Sequence, residues 1–205
     1  MRSFTYYYYN RRGFTLVELM IVVAIVGCLA ALGVFGISRY VRNAKSAEAK
    51  QSIGRIARSA AESYMRETVG SEIVPLGNNS QTANHQLCDD AIPVPAFVPA
   101  AKKYVPLNQN GSDFASGTAS QGWLCLRFEL HDPTYYQIDY QRDSTSYCST
   151  YTCQAATQTP NFEAAAIGDL DGDGIYSAFI LNGEVDGASG QLKRGTVFHV
   201  ADEFE

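Results

Sequence analysis

Four kinds of side chain in this 205-residue chain could do chemistry, and their spacing limits what that chemistry is. Cys88, Cys125, Cys148 and Cys153 stand in the C-terminal two thirds, apart from Cys28. Four such thiols suggest two disulfides and an oxidising compartment, with three pairings open. Proximity favours Cys148–Cys153, which leaves Cys88–Cys125. No C-x-x-C pair or matching histidine spacing supports zinc. Asp169, Asp171 and Asp173 alternate in "GDLDGDG", like the front half of a calcium loop. The twelfth position of that loop is Ile180 where an EF-hand has Glu, so Glu184 or another loop would have to complete the shell. The bland alternative is a hairpin turn built from Asp and Gly. His85, His131 and His199 are dispersed, and no Ser/His/Asp or Cys/His arrangement can be named. No nucleotide-binding glycine loop is present, since Gly54 sits in a helical pattern. The chain reads as a non-enzyme that requires no cofactor, calcium at most. The fourth group is one carboxylate, Glu18, set in the apolar stretch "RRGFTLVELMIVVAIVG".

The elements that must carry these residues follow from hydropathy. Leu19 to Ile37 is uncharged over 19 residues. As a helix it spans roughly 28 Å, close to a bilayer core. Helical period continues beyond it, with Val41, Ala44, Ala49, Ile53, Ile56, Ala60 and Tyr64 near one face. The predicted helix runs from Phe14 to about Thr68, with Gly70 as its stop. Residues 69–121 form a proline-rich connection that Cys88 would tie down. Strands are expected at Gly122–Leu130, Tyr135–Arg142, Asn161–Gly168, Ile175–Asn182 and Gly195–Ala201. In the first of these, Leu124, Leu126, Phe128 and Leu130 would face the helix and Cys125 would face away.

The predicted class is α+β: a long N-terminal helix, its first half apolar and protruding, its second half packed on a globular head with an antiparallel β-sheet. The divisions are 1–13 as a leader, 14–37 as an apolar transmembrane or filament-core helix, 38–68 as its amphipathic continuation, and 69–205 as the head, with the sheet in 122–205. Arg39 to Glu67 carries seven Lys/Arg against three Asp/Glu, and Thr68 onward carries six against seventeen. A head so acidic is not expected to bind nucleic acid, which needs clustered Lys/Arg.

The arginines ahead of the apolar run keep that end cytoplasmic and send the head outward, in agreement with its cysteines. Met1 to Gly13 is too short for a secretory signal of its own. "NRRGFTL" superficially resembles a twin-arginine signal, but the long run, Glu18 and the lack of a small-x-small cleavage site oppose that.

"GFTLVELMIVVAIVG" resembles the N-terminus of bacterial type IV pilins with a short class III leader, type IVa-like. Looser similarity extends through "AKSAEAKQSIGRIARSA", "PVPAFVPAAKKY", "GWLCLRFEL.DPTYYQ" and "GDLDGDG.YSAFILNG". The resemblance implies cleavage by a prepilin peptidase after Gly13 and N-methylation of the new terminus, Phe14. Cleavage would remove Arg2, Arg11 and Arg12 and no acid, lowering the formal charge by three from −5. It implies an inner-membrane precursor with a cytoplasmic N-terminus. That precursor would assemble with itself into an extracellular helical filament for twitching motility, adhesion or DNA uptake, through inner-membrane assembly machinery and an outer-membrane secretin. Many such proteins carry a proline where Phe35 stands here, flanked by Gly33 and Gly36, which permit bending without forcing it. Glu18 then has a physical reason. An ionised carboxylate among apolar side chains is costly unless paired. Cleavage creates an amine on Phe14, one turn away, which Glu18 can meet in its own subunit or a neighbour. Two other readings stand beside this one: a pseudopilin of type II secretion, and a monomeric single-pass membrane protein with a binding head.

Overall fold

The computed structural model describes residues 13–68, 84–107 and 109–205. The chain divides into two compact units, one up to Arg42 and one from Asn43 to the C-terminus. Helix α1, Leu16–Met65, contributes to both.

In the first unit every residue from Gly13 to Arg42 is exposed. The apolar window of α1 has a mean hydropathy of 2.7 with none of it buried, and it is long and apolar enough to cross a membrane. The helix continues through Gly33 and Gly36, and the Ser38 hydroxyl donates to the Val34 carbonyl at 3.0 Å.

In the second unit α1 becomes one-sided. Ala49, Ile53, Ile56, Ala57, Ala60 and Tyr64 are buried, at spacings of one to four, with Ser46, Ser52 and Ser63 among them. Small residues alternating with isoleucine let the sheet approach closely. Strands β1 (Glu67–Thr68) and β2 (Asn84–His85) form a two-stranded antiparallel ladder just after α1. The main sheet is antiparallel and holds β3 (Tyr136–Arg142), β4 (Asn161–Gly168), β5 (Ser177–Val185), β6 (Leu192–Arg194) and β7 (His199–Ala201). Its order is β3-β4-β5-β6, with β7 also on β5. Tyr136, Ile138, Tyr140, Phe162, Ala164, Ala166, Phe179 and Leu181 join the α1 residues in one core. Gly183 belongs to that face because the Phe162 ring and the Lys193 carbonyl leave no room for a Cβ, which would meet them at 2.5 and 2.9 Å. The other face of the sheet is covered by a short helix, α3 (Ser146–Tyr151), over Ala165 and Ile180.

The expectation for 122–130 is corrected. Gly122–Leu126 is a helix, α2, and the main sheet begins at Tyr136 rather than at 122. Leu124 is 47% exposed while Cys125 is buried, the reverse of the predicted facing. Trp123 and Leu126, three apart, are buried along with Cys125 and Gly122. Trp123 packs with Phe114 and Phe128, and its indole N–H donates to the Ile92 carbonyl at 2.8 Å. That cluster outweighs the two-residue alternation, and Arg127 ends the helix in the left-handed region. The other boundaries shift less. Helix α1 ends at Met65, because Glu67 and Thr68 pair with β2. The predicted stop at Gly70 lies outside the described residues. Asn161–Gly168 matches β4 at both ends. The stretch predicted from Gly195 is a strand only from His199, and a separate strand precedes it at Leu192.

Candidate functional site

The start of α1 is built by two side chains. Thr15 precedes the first helical residue, and Glu18 lies three positions on. The Glu18 carboxylate accepts the Thr15 backbone N–H at 2.9 Å and the Thr15 hydroxyl at 2.7 Å, while the Thr15 Oγ1 accepts the Glu18 N–H at 3.2 Å. This is a reciprocal capping box, which satisfies amides that otherwise have no helical partner. Thr15 was not among the residues singled out from sequence, although T-x-x-E before an apolar run is its signature. Both bonds from Thr15 end on Oε2. Phe14, immediately before this cap, is 88% exposed. The cap therefore holds the carboxylate over the first turn, on the Thr15 N–H, one residue after Phe14. The positive end of the helix dipole and any amine at Phe14 fall on the same spot.

The two disulfides lie in the head. Cys88 is joined to Cys125 across 37 residues, with Cα atoms 5.9 Å apart. It ties the chain after β2 to α2. Cys148 is joined to Cys153 across five residues, with Cα atoms 4.5 Å apart, closing the turn that ends α3 at Thr152. Cys28 is free and exposed on the apolar half of α1.

Asp169, Asp171 and Asp173 come together, with ligand oxygens all within 4.8 Å of one another. They also build the β4–β5 turn. Asp169 accepts the N–H groups of Gly172 at 2.6 Å and Gly174 at 3.2 Å, Asp171 accepts that of Asp173, and Asp173 that of Ile175. Glu184 does not join them. It pairs with Asn161 at the opposite end of the β4–β5 ladder and accepts Thr157 and Gln158 N–H groups. The histidines serve structure: His85 Nδ1 lies 3.0 Å from the Tyr64 carbonyl and His199 Nε2 2.8 Å from that of Tyr151.

Two buried carboxylates on the outer face of the sheet escaped the sequence reading. Asp139 accepts hydrogen bonds from the Tyr147 hydroxyl, the Gln141 amide and the Tyr140 N–H. Glu163 accepts the N–H groups of Tyr147 and Cys148. Burial pushes the pKa of each above the ordinary carboxylate range, against the opposing pull of these hydrogen bonds. Both hold α3 in place.

Residues 8–34 match the prokaryotic N-terminal methylation motif. Over 44 residues the chain is 48% identical to the type IV major pilin protein PilA of Myxococcus xanthus (strain DK1622). That match covers 22% of this chain and 20% of the relative, so it spans a fifth of the relative's length. No solved structure matches the chain. The motif match includes the capped start of α1 and its apolar run.

Proposed function

We propose that this chain, whose N-terminal segment is that of the type IV pilin family, is the structural subunit of an extracellular type IV pilus. The observation that carries the reading is the capped start of α1. A carboxylate is fixed on the Thr15 N–H, one residue after Phe14, at the head of an apolar helix with no cover of its own, inside the methylation motif. Prepilin peptidase would cut after Gly13 and methylate the Phe14 amine. That amine would then be a cation at a helix N-terminus, an unfavourable place for it, which Glu18 offsets. The apolar half of α1 would sit in the inner membrane before assembly and among the same segments of other copies afterwards. The uses of such a filament are twitching motility, adhesion or DNA uptake. The two disulfides suit a head exposed outside the cell.

The test is to shear filaments from cells and identify their subunits by mass spectrometry. The expected result is this chain as a principal component, beginning at N-methylated Phe14. A processed chain that stays in the cell envelope and is absent from sheared filaments would favour a type II secretion pseudopilin. A chain still carrying its leader would leave a monomeric membrane protein with a binding head.

A further inference from the structure

We propose that Lys45, Lys102 and Lys103 form a docking surface for the headgroups of anionic phospholipids, which holds the head against the membrane before assembly. The inference rests on the membrane-anchored precursor proposed above. The uncharged run ends at Ile37, and residues 38–50 then carry Arg39, Arg42, Lys45 and Lys50 against one acid, Glu48. Cations this close to a span favour the cytoplasmic side, so on the outer side they work against the orientation that the leader arginines set. Their placement there needs a reason on that side.

The structure gathers more positive charge to the same place. The backbones of Tyr104 and Thr134 exchange hydrogen bonds in both directions, at 2.8 and 2.9 Å. This bridge seats Lys103 and Tyr135, one residue along each strand, against α1. The ammonium groups of Lys45 and Lys103 then lie 4.2 and 4.9 Å from the centroid of one ring, that of Tyr135. Lys102 is exposed beside them. Two like charges gather at one aromatic ring. Among the described residues the carboxylate that pairs with this group is Glu48, at 3.9 Å from Lys103, with Asp132 close enough to act on Glu48. Three other cations lie closer to carboxylates: Arg142 to Asp89 and Asp143, Lys193 to Asp186, Lys50 to Glu203.

Lys45 follows Ile37 by only eight positions in the sequence. The headgroup layer adds roughly 5–8 Å beyond the hydrocarbon, a depth to which a lysine stem can reach. An ammonium there meets phosphodiester oxygens, and each such cation strengthens contact with an anionic surface about fivefold. The rest of the head, with seventeen acids against six bases from Thr68 onward, is repelled by the same surface. The contact therefore orients the head as well as attracting it.

The test uses the full chain in vesicles, with Cys28→Ala removing the one free thiol and Val105→Cys, an exposed position, carrying an environment-sensitive dye. Vesicles are phosphatidylcholine alone or mixed with phosphatidylglycerol. The expected result is a blue shift with phosphatidylglycerol that high salt reverses. Lys45→Gln/Lys102→Gln/Lys103→Gln should lose it, and the triple arginine variant, with the same far-UV spectrum, should keep it. Equal emission in both vesicles, or a shift that survives the glutamine changes, overturns the proposal. So does a shift produced equally by inorganic phosphate, or one produced by a DNA duplex and not by vesicles. A chain that fails to float with either vesicle overturns the membrane-anchored reading beneath it.

Discussion

Glu163 caps the helix that carries Cys148: its two carboxylate oxygens accept the N–H groups of Tyr147 and Cys148 at 3.0 and 3.2 Å. The residue is completely buried on β4, so a strand supplies the anion that the first turn of α3 lacks from its own sequence. Asp139 on the adjacent strand holds the Tyr147 hydroxyl. Both acids have pKa values raised by burial. The folded head then binds these protons more tightly than the unfolded chain does. Their contribution favours folding most below the ordinary values of 3.8 and 4.5 and weakens as pH rises through the folded values. Relative to the native chain, Asp139→Asn/Glu163→Gln should lose less stability as pH rises above these ordinary values. Thermal melts across that range check it; parallel curves for the two proteins would show the sign to be wrong. Glu163→Ala, which strands two amides, should cost about 2–3 kcal/mol.

Glu18 has two duties that substitution can separate. Glutamine still accepts hydrogen bonds in a capping box, and alanine does not. Glu18→Gln should leave α1 capped and the precursor inserted, yet reduce sheared filaments by tenfold or more, because the charge offered to the Phe14 amine is gone. Thr15→Ala should cost about 1 kcal/mol of helix stability through the lost cap and change filament yield less. Wild-type yield from Glu18→Gln would reduce the role of Glu18 to capping. Immunoblots of sheared and cell-bound fractions measure both.

The disulfides should differ in weight. Closing a loop of 37 residues is worth about 4 kcal/mol by chain entropy, and one of five about 2. Cys88→Ser/Cys125→Ser should therefore lower the melting temperature further than Cys148→Ser/Cys153→Ser. The reverse order would mean that α3, not the α2 connection, is where the head opens first.

Calcium at Asp169, Asp171 and Asp173 is a prediction with a definite price of failure. Three carboxylates fall short of the six to eight oxygens the ion takes, so water and carbonyls would complete the shell. Calcium at ten times its Kd should stabilise the head by about 1.4 kcal/mol. Asp171→Asn/Asp173→Asn should abolish that gain. A melting temperature unchanged between millimolar calcium and chelator leaves the segment as a turn held by its own amides.

Much of this architecture is legible in residue order because the period is unambiguous there. The apolar half of α1 and the strand Asn161–Gly168 are examples. The stretch Gly122–Leu130 is not, since Leu124, Leu126, Phe128 and Leu130 alternate as a strand would. What decides it is Trp123 packing with Phe114 and Phe128, contacts that no local pattern displays. Helix α3 is hidden for a similar reason: its cap comes from β4, fifteen residues away from Cys148. At the N-terminal site, Thr15 was readable from the T-x-x-E spacing. Lys103 and Tyr135 were not, because a backbone bridge between distant loops brings them together.

The uncovered half of α1 has a thermodynamic corollary. Leu19, Ile21, Val22, Ile25, Val26 and Leu29 are each more than half exposed. Water is the one solvent such a segment cannot tolerate, since each large side chain left wet forgoes about 1.5–3 kcal/mol. Lipid tails and packed aliphatic side chains, by contrast, solvate it about equally. Exchange between bilayer and polymer is thus nearly isoenergetic in its apolar part, while escape into solution is uphill by tens of kcal/mol over some twenty residues. A fibre built on this segment is reversible towards the membrane and closed towards the medium.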